Sequence, residues 1–307
     1  MGQSIRKRFR HCGRYGVSSA FAQVSYYPYK KTNIPKARQR KYQTTLPKQR
    51  ASNNKRAIRY LEALVHSNFG EGDFLLSLSY ADDHQPKDEK DAKRLFGNYV
   101  GRVNYRLKKL DLPNAKWVSV IEKGKKSGRF HHHVIISCGL DRDTLEEVWG
   151  YGYANSKKLQ PDSQTGLLKL VHYIAKECKS EDRPQNMRKW DCSQNLIKPW
   201  DTVNDEPRMM SQKKFRTMQE LPEDCAQMKQ IIEGDNPGYE LISVEKEYRE
   251  DINEWYFFCR LRLSVTKPRK RKDERAKGKN KNAKGKENIK RGDARAKPPP
   301  GGTGPPG

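Results

Sequence analysis

The sequence predicts an α+β protein, an antiparallel sheet with helices on one face, flanked by basic ends. Short stretches with alternating apolar residues are interspersed with longer stretches that carry apolar residues at helical spacing. Residues 1–60 contain sixteen Lys or Arg and no Asp or Glu, and residues 267–297 contain fifteen basic against four acidic residues. Because the formal net charge is +26, the rest of the chain is close to neutral. Hydrophobic residues make up 34%, below the usual value of about 45–50%, so we expect the packed body to lie between the basic ends.

This charge distribution divides the chain into four expected regions. Residues 1–52 are typical of a basic N-terminal arm, because they show few periodic apolar positions. Residues 53–200 carry alternating helix and strand patterns and form the main domain, and residues 201–264 form a C-terminal extension with a strand pair. Residues 265–307 are rich in Lys, Arg, Gly and Pro and cannot bury enough apolar surface to offset the entropy of ordering. We therefore expect a disordered basic tail.

The first elements of the main domain are a helix, a strand and a second helix. Asn53 or Asn54 is a suitable cap for the first helix. Phe74 to Tyr80 alternates and predicts a strand, and the long amphipathic segment that ends before Pro113 predicts a helix. The apolar positions of the first helix are Ala57, Ile58, Leu61, Leu64 and Val65, and those of the second are Leu95, Phe96, Tyr99, Val100, Val103, Leu107 and Leu110.

A β-hairpin follows. Residues 117–122 and 130–137 are apolar and predict two strands, and the segment 123–128 between them holds two glycines. With the elements that follow, the order is α-β-α-β-β-α-β-α, similar to the split β-α-β arrangement of ferredoxin-like folds. Whether the last strand pair extends the same sheet stays open. The elements after the hairpin are a helix over 141–149, a strand over 151–159, a helix over 166–177 and a strand pair over 241–248 and 255–263.

Composition also restricts the class of function. The six cysteines are scattered with no CxxC pair, which argues against a zinc ribbon and a disulfide framework and fits a reducing compartment. No apolar run approaches the ~18 residues of a membrane span, so we expect a cytoplasmic protein with no membrane partner. A near-neutral body with two basic ends is typical of a protein that binds phosphates of nucleic acid.

The second strand of the hairpin contains three consecutive histidines. On a strand alternate side chains share a face, so His131 and His133 project together, about 7 Å apart, and His132 points the other way. If residue 122 pairs with residue 131, Glu122 joins both histidines on one face and completes a metal site of two imidazoles and a carboxylate. A register shift of one residue would move Glu122 to the opposite face. The alternative is that the histidines are surface or hydrogen-bonded core residues.

A helix downstream of the histidines carries a tyrosine and a lysine. Tyr173 and Lys176 are three residues apart, so a helix would place the ammonium group beside the phenol. A neighbouring cation lowers the pKa of a phenol, which is ordinarily about 10, and favours the nucleophilic phenolate. Alone this pair is more often packing plus a solvated charge.

Together the motifs resemble those of HUH endonucleases, and in particular the rolling-circle replication initiators of small plasmids and filamentous phages. The resemblance covers about residues 53–200, and its motifs are 74–80, 128–136 and 173–177. It implies a catalytic domain that nicks single-stranded DNA at a replication origin in a bacterial cell, with a host helicase and polymerase as further partners.

The resemblance also implies roles for single residues. His131, His133 and Glu122 would hold Mg²⁺ or Mn²⁺, which polarises the scissile phosphate. Tyr173 would attack that phosphate, leaving a 5′-phosphotyrosyl link and a free 3′-OH, and the same site could later rejoin the ends. Lys176 would offset negative charge on the phosphate or the phenolate.

Two other functions stay open. A non-catalytic nucleic-acid-binding protein would bind with a steep salt dependence and no need for metal. A single-tyrosine transposase would require structured DNA ends. Five further residues are weaker candidates for the site or for stacking on unpaired bases, namely His84, His172, Tyr26, Tyr27 and Tyr29.

Overall fold

The chain forms two five-stranded antiparallel sheets that share one folded unit, Met1–Pro268. A computed structural model describes residues 4–14, 20–29, 47–124, 127–176, 190–204, 210–249 and 253–264. The expected disordered tail, 265–307, lies outside these residues. The strands are β1 (Ser4–His11), β2 (Phe21–Tyr29), β3 (Phe74–Tyr80), β4 (Lys116–Lys123), β5 (Phe130–Ser137), β6 (Gly152–Lys158), β7 (Asp191–Cys192), β8 (Trp200–Asn204), β9 (Tyr239–Arg249) and β10 (Glu254–Leu263).

The helices follow the apolar periodicity of the sequence. α1 begins before the expected asparagines, at Pro47, because proline is tolerated in the first turn of a helix. In the described ranges no helix is long and apolar enough to cross a membrane. The helices are α1 (Pro47–His66), α2 (Glu89–Lys109), α3 (Arg142–Glu147), α4 (Leu168–Ile174), α5 (Gln212–Glu220) and α6 (Ala226–Asp235).

The first sheet has the strand order β6-β3-β5-β4-β7, and its antiparallel pairing confirms the predicted α+β class. α1 and α4 pack on one face of this sheet, around Val118, Val120 and Ile135. α2 and α3 pack on the other face, around Leu76 and Val134. Helices therefore cover parts of both faces, whereas we expected them on one face only, because β5 is apolar on both sides beyond its histidines.

The second sheet has the order β8-β1-β2-β10-β9 and overturns the expectation of an N-terminal arm. β1 pairs with both β2 and β8, so most of the first 29 residues belong to the folded unit. One face of β1 contributes Ile5 and buried Lys7, whose Nζ lies 2.8 Å from Asp235 Oδ2, to the core under α5 and α6. Its arginines alternate with these residues and fall on the opposite face. The predicted β9–β10 pair exists but extends this second sheet.

α4 is shorter than the predicted helix over 166–177. Gly166 has a φ of +58° and closes a turn with Asp162, so the helix begins only at Leu168. This left-handed conformation favours glycine, and a Cβ at this position would lie 2.5 Å from the Phe21 ring. The helix ends at Ile174, and Glu177 lies outside the described residues.

Candidate functional site

The hairpin has the register that the metal-site prediction requires. Glu122 pairs directly with His131, and Val120 pairs with His133. Directly opposite residues of an antiparallel pair share a face, so Glu122, His131 and His133 lie on the same side of the first sheet. The turn keeps this register through a hydrogen bond from Gly124 N–H to the Arg129 carbonyl.

His132 points into the opposite core and takes no part in this group. Its ring is fully buried, stacks on Phe96 and lies 2.7 Å from the Tyr80 hydroxyl through Nε2. Burial lowers its pKa to about 3, so the imidazole is neutral. Because Tyr80 can donate its proton to the Ala92 carbonyl, the favoured tautomer has His132 Nε2–H donating to Tyr80. His132 is therefore a core histidine.

Tyr173 lies beside His133. The two rings have centroids 5.7 Å apart in an edge-to-face arrangement, and His133 Nε2 shares a 2.8 Å hydrogen bond with Glu122 Oε2. The Tyr173 side chain is accessible, with 62% of the residue exposed. Residues that are far apart in the sequence thus bring a phenol, an imidazole and a carboxylate together at an open surface.

α4 holds Tyr173 in this position through contacts on three sides. Val171 and Ile174 are buried in the core beneath the first sheet. At the start of the helix, Leu167 N–H donates to His66 Nε2, and burial lowers the pKa of His66 to about 4, which keeps it a neutral acceptor. Next to Tyr173 in the chain, His172 Nε2 lies 2.7 Å from Glu62 Oε1.

Glu62 connects the two sheets. It is buried on α1 and accepts two hydrogen bonds of 2.8 Å from Arg260 of β10 and one of 3.2 Å from Gln23 of β2. Burial raises its pKa, but hydrogen bonds from His172 and Arg260 lower it more, to about 2. His172 is therefore explained as a structural partner of Glu62. Sequence inspection missed Glu62, because a glutamate within an amphipathic helix is typical of a solvated face.

Lys176 lies just beyond α4. The helix ends at Ile174, and Lys176 is exposed two residues further on. Its position beside the Tyr173 phenol stays a prediction. His84 lies in a short 3₁₀ turn, where its Nδ1 is 2.9 Å from Asp83 Oδ1. The tyrosines of β2 have contacts within the second sheet and its core. Tyr26 is fully buried, and its hydroxyl donates to Asp235. Tyr27 stacks on Tyr256, and Tyr29 lies under the guanidinium of Arg6.

The donors fit a divalent cation by their chemistry, although they do not yet converge. Within the described ranges no three His, Cys, Asp or Glu side chains are arranged to hold a metal ion. The distance from His133 Nε2 to Glu122 Oε2 is 2.8 Å. Neighbouring ligand atoms of an ion with metal–ligand bonds of about 2.1 Å lie ~3 Å apart, so these two atoms are already spaced like ligands of one ion. His133 Nδ1 has no hydrogen-bond partner among the described residues, so only the hydrogen bond to Glu122 orients this ring through its nitrogens. His131, on the same face, supplies the second imidazole.

Polar residues of two neighbouring strands extend this open face. Ser79 pairs with both His131 and Tyr153, and Ser77 pairs with both His133 and Asn155. Tyr153 is 77% exposed, so its ring presents a flat surface in line with the histidines. The alternation of Tyr153, Asn155 and Lys157 in the sequence of β6 is the signal that could have identified this surface.

Comparison with known proteins gives a match to one family model. No curated protein and no solved structure matches the chain. The family model described as Replication-associated protein ORF2/G2P matches residues 73–182, a range that begins just before β3 and includes the hairpin and Tyr173. Residues 73–182, a little more than a third of the chain, are thus similar to the replication-associated protein ORF2/G2P family, and this similarity is consistent with a rolling-circle replication initiator.

Proposed function

We propose that this protein starts rolling-circle replication by nicking single-stranded origin DNA through attack of Tyr173 on a phosphodiester. The observation that carries the proposal is the position of the Tyr173 ring beside His133, on the face that His133 shares with Glu122 and His131. The family match supports a replication initiator, and such a role implies binding to DNA at an origin. The nicking reaction and the roles of single residues are our proposal.

The reaction is a transesterification. The phenol oxygen of Tyr173 loses its proton to solvent and bonds to phosphorus, and the bond from phosphorus to the 3′ oxygen breaks. The electron pair stays on that oxygen, which takes a proton and becomes a free 3′-OH. The product is a 5′-phosphotyrosyl link, and attack of a 3′-OH on this link rejoins the strand.

The other residues bind and orient. Glu122, His131 and His133 would hold Mg²⁺ or Mn²⁺, and the ion would supply charge stabilisation at the phosphate. The Tyr173 ring packs edge to face with the His133 ring, and α4 fixes its backbone, so the phenol is positioned before DNA binds. Lys176 is close in sequence and exposed, and we propose that it contacts the DNA phosphate rather than the phenol.

The test is a denaturing gel of the full-length protein with labelled single-stranded DNA from the neighbourhood of its gene. We expect a slower-migrating covalent adduct with Mn²⁺ and none when the cation is chelated. Tyr173→Phe should form no adduct and still bind the DNA. Tyr153→Phe is the matched control, because Tyr153 is exposed on the same sheet face and should be dispensable for bond formation.

An adduct that persists in Tyr173→Phe would overturn the assignment of the nucleophile. Tight binding without any adduct, across all DNA of that neighbourhood, would instead favour the non-catalytic binding function. An adduct formed only with hairpin ends would favour a transposase.

A further inference from the structure

A pocket of about 480 Å³ lies between α1 and the polar face of the second sheet, separate from the Tyr173 site. Its walls come from β1, β2, β8, β10 and α1, and Trp190 closes one side. This volume falls in the range of about 300–1,000 Å³ that is usual for sites that bind small molecules. A double helix cannot enter a space of this size, whereas one unpaired nucleotide can.

The pocket is strongly basic because of the alternation in β1. Arg8 and Arg10 project from the same face of this strand and share one carboxylate, Asp201, with Nε to oxygen distances of 3.0 Å and 2.8 Å. Arg56 and Arg59 add two further guanidinium groups, and Asp201 is the only acidic residue among the described residues of the lining. Arg59 is itself paired with Glu245, which lies outside the lining, at 2.6 Å. Two arginines on one carboxylate leave positive charge for an anion, and the side chain of Arg8 is 45% exposed.

Aromatic rings supply the second half of the lining. Tyr60 and Trp190 are nearly parallel, with an angle of 13° and ring centroids 6.1 Å apart. The guanidinium of Arg10 lies 5.6 Å from the Tyr60 centroid, and Tyr256 and Phe258 also line the pocket. Flat aromatic surfaces beside arginines are the groups that bind unpaired bases and their phosphates.

We propose that this pocket binds a single nucleotide, with its base on the Tyr60 and Trp190 rings and its phosphate at Arg8 and Arg56. The nucleotide comes either from single-stranded DNA or from a free nucleoside monophosphate. The inference rests on the proposed function in one respect, because the strand in the pocket would be the strand that Tyr173 attacks. The chain connects the pocket to the sheet that carries the Tyr173 site, because Trp190 directly precedes β7, and β7 pairs with β4 of the hairpin.

The test measures tryptophan fluorescence of the full-length protein in a Tyr173→Phe background, which cannot cleave. The probes are a short oligothymidylate, a duplex of equal length and dTMP. We expect saturable quenching by the oligothymidylate that is lost in Trp190→Phe. Tyr60→Leu should weaken binding by about 5- to 150-fold, the effect of removing one base-stacking ring. Arg8→Gln should lower the slope of log affinity against log salt by about 0.7.

The control is Arg94→Gln, which removes one exposed charge on α2, outside the pocket. It should leave quenching and affinity unchanged. If the oligothymidylate quenches and dTMP does not, the pocket binds single-stranded DNA. If dTMP quenches as strongly as the oligothymidylate, the pocket binds the free nucleotide. The proposal is overturned if Tyr60→Leu and Arg8→Gln bind like the parent protein, or if the duplex binds equally well. Because binding is measured without cleavage, this result does not depend on whether Tyr173 is the nucleophile.

Discussion

Glu62 shows how one residue can determine the position of another that it does not touch. Its carboxylate binds His172 and Arg260 at the same time, and His172 is the direct neighbour of Tyr173 in α4. A buried carboxylate is stable only when it is paired and hydrogen-bonded, and Glu62 has both. The contact therefore fixes α4 against α1 and the second sheet.

The substitution Glu62→Gln should destabilise the protein. It keeps the side-chain shape but removes the charge that pairs with Arg260, which is left with only Glu245 among its described acidic partners. We expect a loss of about 3 kcal/mol in the free energy of unfolding, the low end for breaking a buried ion pair. Urea denaturation at about pH 7 measures this. The control is Glu247→Gln, because the ion pairs of Glu247 with described residues are longer, at 3.5 Å and 3.9 Å. It should change stability by less than about 1 kcal/mol.

The pH dependence of the free energy of unfolding should also show that Glu62 is ionised in the folded protein. Its pKa is about 2 in the folded protein and near 4.5 when unperturbed, so folding favours the ionised form. The stabilisation is complete above about pH 4.5 and is lost as the pH falls toward 2. We expect the stability difference between the parent and Glu62→Gln to shrink over this interval in urea titrations. A difference that stays constant down to about pH 2 would contradict the ionised, paired state.

At the scale of the element, neighbouring histidines of β5 lie on opposite faces of the sheet and have different roles. Because its side chains alternate, His131 and His133 face Glu122 and Tyr173, while His132 is buried among aromatic rings. The sequence was sufficient to predict this division, since the run of Val and Ile after the histidines indicates a buried strand. The hairpin register could only be stated as a condition, because a turn with two glycines allows more than one pairing.

Substitutions along β5 should separate the proposed metal binding by the outer histidines from the core packing of His132. His133→Ala should abolish Mn²⁺ binding in isothermal titration calorimetry and remove the metal-dependent adduct. His132→Gln should lower the melting temperature, because it disturbs the stacking on Phe96 and the hydrogen bond to Tyr80. It should nevertheless keep Mn²⁺ binding and the adduct. Equal loss of Mn²⁺ binding in both variants would show that the outer pair is not the ligand pair.

Whole-molecule organisation is where the sequence was least informative. The strands and helices of residues 74–158 were predicted to within a few positions, because each has a clear apolar period and because β3 finds its partners β5 and β6 within the same segment. The N-terminal strands were missed, because the arginines of β1 conceal its alternation. In addition, β8, which pairs with β1, and β10, which pairs with β2, lie about 200 residues or more further along the chain. Likewise, no local pattern could show that α1 places Glu62 against Arg260.

Deletions should distinguish the two basic ends. Removing residues 1–12 takes away β1, which lies between β2 and β8, so we expect loss of cooperative thermal unfolding by calorimetry. Removing residues 269–307 takes away none of the described core and should leave the melting temperature unchanged. The second deletion should instead reduce the salt dependence of DNA binding, because the removed segment is strongly basic. An N-terminal deletion that unfolds like the parent would contradict the central position of β1.

The link from β10 through Glu62 to α4 has a consequence for protein engineering. A designer who wishes to redirect this protein to a new DNA target would be inclined to exchange the second sheet as a self-contained module and to keep the hairpin and Tyr173. Such a chimaera would lose Arg260 and Gln23 and leave Glu62 charged, buried and without those partners next to α4. The two sheets therefore have to be exchanged together, or the graft has to bring its own arginine to Glu62.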